Sequence, residues 1–128
     1  MILQRSFRVP VEEALYPRAI QILQNEFGLV DGHMHPKDGD ERCLVWEDEK
    51  GIGRWRVHCY GNSEHEGERY DDFIFHYWTH PNRLRKSVLE RDPMGPAINR
   101  VYREAKNPIE IGHMFVDLEM DKCFQTPL

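Results

Sequence analysis

Two histidines, His76 and His80, stand four residues apart in the stretch FIFHYWTH, just ahead of Pro81, and a third, His58, sits in RWRVHCY, which also carries Arg54 and Arg56. Imidazoles can ligate a divalent metal or pass protons near neutral pH, and a guanidinium can hold a carboxylate or phosphate through two parallel hydrogen bonds. Which of these is open depends on backbone conformation. In a helix His76 and His80 would lie one turn apart, roughly 6 Å between them, and suit a shared metal. The composition argues against a helix: Phe73, Ile74, Phe75, Tyr77, Trp78 and Thr79 favour strands, and His80 precedes a proline, which disfavours helical geometry. In a strand the two histidines share a face but stand about 13 Å apart, a poor fit to one ion. No metal is expected there.

The extended reading gives a different constellation. If Trp55, Val57, Cys59, Phe73, Phe75 and Tyr77 form a buried side, the other side collects Trp46, Arg54, Arg56, His58, Tyr60, His76, Trp78 and His80. Arginine forks and flat aromatic rings together suit an anionic small molecule. Within that surface Arg54, Arg56, Tyr60, Trp78, His80 and Trp46 are candidate ligand contacts, and His58 and His76 are candidate catalytic acids or bases. The competing reading is a solvated sheet face, where polar residues are expected and the arginines pair with Glu47, Glu49 or the acidic connector downstream. A lesser candidate is His33-Met34-His35, near Asp31, Asp38 and Asp40, whose two histidines could chelate an ion from an extended loop.

Strands and helices must position these groups. Leu3 to Val9 alternates as a short strand, and Tyr16, Ala19, Ile20, Leu23 and Phe27 recur at helical spacing up to Gly28. Pro17 would clash in mid-helix, so the regular helix is expected to begin there, with Val11 to Tyr16 as a separate turn. Asp31 to Glu41 reads as loop. Cys43 to Glu47 and Gly53 to Tyr60 read as a hairpin, and Phe73 to Thr79 as a third strand reached through an acidic connector, GNSEHEGERYDD. A short helix over Asn82 to Arg91, a firmer one over Pro96 to Lys106 and a closing strand over Met114 to Met120 follow. The expected fold is α+β: a mostly antiparallel sheet in the order β-α-β-β-β-α-β with helices on one side, all 128 residues forming one domain.

Composition narrows the function classes. With 40% hydrophobic and 30% charged residues, no apolar run long enough for a membrane helix and no secretory h-region at the start, a cytoplasmic protein is expected. Three widely spaced cysteines, Cys43, Cys59 and Cys123, fit neither a disulfide framework nor a thiolate zinc site. Cys59 and His58 point to opposite faces of a strand, so they make no nucleophile pair. A net charge of -5 argues against a general grip on nucleic acid, although Arg83, Arg85, Lys86 and Arg91 form a local basic run. No phosphate loop, cofactor motif or complete catalytic constellation is present. The sequence reads as a small acidic binding or regulatory protein that docks to a partner protein through Glu64, Glu66, Glu68, Asp71 and Asp72. The alternative is a small enzyme using histidine acid-base chemistry on an anionic molecule held by the sheet face.

Overall fold

A computed structural model of the chain describes residues 2–32, 41–47, 54–77 and 86–115. Strands β1 (Ile2–Pro10), β2 (Val30–Asp31), β3 (Glu41–Glu47), β4 (Arg54–His65), β5 (Glu68–Tyr77) and β6 (Ile109–Phe115) join helices α1 (Leu15–Asn25), α2 (Lys86–Arg91) and α3 (Met94–Glu104). The strands form one antiparallel sheet in the order β2-β3-β4-β5-β1-β6. This is the α+β architecture the sequence predicts, with the two-residue β2 added at one edge, across the start of the expected loop. Among the described residues no helix is long and apolar enough to cross a membrane.

The core lies between the sheet and its helices. Cys59 pairs with Phe73, which pairs with Phe7, and Val57 pairs with Phe75, so large apolar side chains from three neighbouring strands stack on one face. Phe7 meets Phe73 at 5.5 Å and Phe75 at 6.1 Å between ring centroids, and takes the edge of Tyr102 from α3 at 5.2 Å. Leu15, Ala19, Ile20, Ile22 and Leu23 of α1, with Met94, Ala97, Ile98 and Val101 of α3, complete the buried cluster. On the cluster's margin the Arg5 guanidinium lies 4.2 Å from the Tyr102 ring centre and binds Glu110 at 2.6 Å, tying β1 to both α3 and β6.

Several boundaries differ from expectation for identifiable reasons. Helix α1 begins at Leu15, two residues before Pro17, because Pro17 falls in the first turn, where its missing N–H has no intrahelical partner to lose. A 3-10 turn over Val11–Glu13 and Ala14 in the left-handed region (φ 54°) feed the chain into it. The expected connector from Gly61 to Asp72 is almost wholly strand: β4 and β5 run on as a ribbon closed by Glu66 and Gly67, with φ of 53° and 83°. Two successive positive φ values give the tight two-residue turn whose twist matches paired strands. Helix α3 starts at Met94 because the Asp92 carboxylate accepts the Met94 N–H at 2.8 Å. The last strand begins at Ile109 rather than Met114, and the remainder of its expected span, 116–120, lies outside the described residues.

Glutamate is a poor occupant of the left-handed region, whereas asparagine tolerates it. Glu66→Asn is therefore expected to stabilise the protein by about 0.5–1 kcal/mol, and Gly67→Val to destabilise it by about 1–2 kcal/mol, in urea unfolding. Gly112→Ala, with no atom within 4 Å of the added methyl group, serves as the near-neutral control.

Candidate functional site

Pairing register decides which side chains share the face opposite the core. Val45 pairs with Arg56 and Arg56 with His76; Cys43 pairs with His58 and His58 with Ile74; Glu41 pairs with Tyr60 and Tyr60 with Asp72. Arg56, His58, Tyr60 and His76 thus come together. The His58 and His76 rings stack at 5.1 Å with an 8° interplanar angle, and Tyr60 lies against the same imidazole at 6.1 Å. Trp46 does not join them. It pairs with Trp55 and packs against the core, because Cys43-Leu44-Val45-Trp46 is an unbroken apolar run whose phase the sequence leaves open. Arg54 enters β4 opposite Glu47, but its side chain, together with Trp78 and His80, lies outside the described residues.

Glu41, read from sequence as the end of a loop, is the first residue of β3 and only 4% exposed. It accepts a hydrogen bond from Nδ1–H of His58. A buried carboxylate needs such a partner, and the contact fixes the imidazole so that Nε2 is its exchanging nitrogen. Nδ1–H of His76 donates to the Tyr77 carbonyl at 3.3 Å, which assigns the same role to its Nε2. Burial, followed by the neighbouring His58 and, more weakly, Arg56, holds His76 below the ordinary histidine value of 6.5, with the Tyr77 carbonyl opposing in part. Both cysteine thiols of these strands are pushed up by burial, Cys59 strongly, in keeping with inert thiols.

The β4–β5 ribbon continues the site. Between Tyr60 and Ser63 the register shifts by one extra residue on β4, a bulge with Asn62 at φ 57°. The bulge reverses the alternation of β4, so that His65 rather than Glu64 shares the face of Asp72. His65 Nε2 lies 3.0 Å from Oδ2 of Asp72, whose Oδ1 is 3.4 Å from Arg8 Nε, and Arg8 in turn sits over the Tyr70 ring. Asp71 projects to the other face, accepts the Asn62 N–H at 2.9 Å and is raised by burial above the usual carboxylate range. Asp71 and Asp72, at 3% and 8% exposure, therefore anchor the root of the ribbon and are not part of an open docking surface, contrary to expectation. Glu64, Glu66 and Glu68 are exposed around its tip, where Arg69 approaches Glu64 at 3.7 Å. A cleft of about 560 Å³ along the ribbon is lined by Arg8, Glu64, His65, Glu66, Tyr70 and Ile109.

His33, His35, Asp38 and Asp40 lie outside the described residues, as do Arg83 and Arg85; among the described residues no three His, Cys, Asp or Glu side chains gather in a metal-binding group. Comparison of the chain with protein-family models, with curated proteins and with solved structures returns no match.

The depressed His76 links stability to pH. Its contribution is fully present above 6.5, where the unfolded imidazole is neutral too, and is lost as pH falls from there through the lower folded value, because the unfolded chain then binds the extra proton. His76→Gln should flatten that acid-side loss. Urea unfolding midpoints of both proteins, taken across this range, measure the difference; parallel curves would remove His76 as its source.

Proposed function

We propose that the protein acts by docking its acidic β4–β5 finger into a basic groove of a partner protein. The observation that carries this reading is the finger's build. Its root is fixed by the Asp71 contact at the bulge and by the Arg8–Asp72–His65 cluster, while Glu64 to Arg69 extend past the described pairing partners on both sides, Tyr60 opposite Glu41 and Tyr70 opposite Pro10. Glu66 and Glu68 have no ion-pair partner among the described residues. A rigid ribbon loses little conformational entropy on binding, and unbalanced charge at its end speeds encounter with a positive surface and rejects a negative one. The net charge of -5 points the same way. The reading places the protein in the cytoplasm, where Cys43 and Cys59, both free and buried, would stay reduced.

Affinity capture from the host lysate tests the idea by comparison of variants. The triple variant Glu64→Lys, Glu66→Lys, Glu68→Lys is expected to lose a basic partner that His76→Gln retains. For the partner so found, raising salt should slow association with the wild-type protein, and the triple reversal should slow it by on the order of ten-fold or more. A partner captured equally by the wild-type and triple-reversal proteins would refute the finger as the docking element.

A further inference from the structure

The sheet face beside the finger supports a separate activity. His58, His76 and Arg56 are held within one patch by cross-strand pairing: Arg56 directly opposite His76, and His58 one row further along, ring to ring with it at 5.1 Å. We infer that this patch binds a small oxyanion, a phosphate or carboxylate group of a metabolite-sized molecule, and exchanges a proton with it through Nε2 of His58.

Three features support the inference. The first is tautomer control. Glu41 takes Nδ1–H of His58 and the Tyr77 carbonyl takes Nδ1–H of His76, so in each neutral ring the basic lone pair belongs to Nε2. The second is electrostatic. Two imidazoles and a guanidinium on one patch repel one another when charged, and an oxyanion at contact distance would relieve the repulsion. The third is pre-organisation. Glu41 is buried, so the carboxylate that orients His58 is itself fixed, and it stabilises the imidazolium that forms when His58 accepts a proton. The step balances simply: the acidic hydrogen of the bound ligand passes to Nε2 of His58, the bond electrons remain on the ligand as an extra negative charge, and the imidazolium, paired with Glu41 and near Arg56, compensates it. Glu41 acts as a positioning residue. His58 is the group that exchanges the proton, and His76 with Arg56 supplies the anion contacts.

The titratable and charged groups that face His58 on the packed strands are Glu41 and Cys43 of β3, Arg56 and Tyr60 of β4, and Asp72 and His76 of β5. Of these, Asp72 is engaged by Arg8 and His65, and the Cys43 thiol is raised by burial, which leaves Glu41, Arg56, Tyr60 and His76 to set the response. Inorganic phosphate is the probe. The imidazole carbon-bound protons of the full chain are followed by NMR against pH, in phosphate and in chloride at equal ionic strength. The titration midpoints of His58 and His76 should move upward together in phosphate, by about half a unit or more, since a neighbouring anion favours both charged rings. Arg56→Gln should abolish most of that movement. Identical midpoints in the two salts would overturn the proposal outright. So would an Arg56→Gln protein that responds to phosphate as the wild type does, and the wild-type comparison stands even if a variant fails to fold. The finger is not involved, so this result is independent of the capture experiment.

Discussion

The alternation of side chains along β4 and β5, locked to that of β1, is the constraint from which both surfaces follow. Cys59, Phe73 and Phe7 lie in one row and Val57 and Phe75 in the next, and all five are fully buried. Each large apolar side chain so placed contributes about 1.5–3 kcal/mol relative to exposure. A slip of one residue between these strands would turn His58, Arg56 and His76 into the core and expose Trp55, Val57 and Phe75, so the apolar face fixes the register and the register fixes the polar face.

The bulge at Asn62 changes the phase without giving up the pairing. Up to Tyr60 the even-numbered residues of β4 face away from the helices; beyond it Ser63 and His65 do. One added residue thereby brings His65 to Asp72. Asp71 and Asp72 then act on opposite sides of the same backbone, one holding the bulge through the Asn62 N–H and the other holding Arg8 and His65. Burying two adjacent carboxylates is costly unless each is hydrogen-bonded or paired, and both are.

What could be read from the sequence follows from where its pattern has a phase. RWRVHCY alternates cleanly, so the burial of Trp55, Val57 and Cys59 and the outward face of Arg56 and His58 are legible from composition alone. CLVW does not alternate, since Cys43, Leu44 and Val45 are all buried, and only the pairing of Trp46 with Trp55 places that tryptophan on the core side. Glu41 was invisible for a related reason. Its partner is seventeen residues away across a hairpin, and a charged residue at a loop end carries no mark of burial until the register is known. The acidic connector misled because charge and glycine usually signal a loop; here His65-Glu66-Gly67-Glu68 is a two-residue turn, and the tell-tale feature was a lone glycine after a residue able to adopt positive φ. The helix boundaries moved by two residues because a proline in a first turn costs the helix nothing.

Charge distribution connects the two surfaces. Through the body of the fold, carboxylates sit beside arginines or histidines: Glu41 with His58, Asp72 with Arg8 and His65, Glu110 with Arg5, Asp31 with Arg42, and Glu26 and Glu104 with Arg100. Such pairing keeps the cost of part-buried charge low. The excess negative charge is then expressed where pairing stops, at the end of the ribbon, where Glu66 and Glu68 stand in solvent. The two proposals thus divide the surface: the finger would attract a large basic partner, and the Arg56, His58 and His76 face would take a small anion at contact distance.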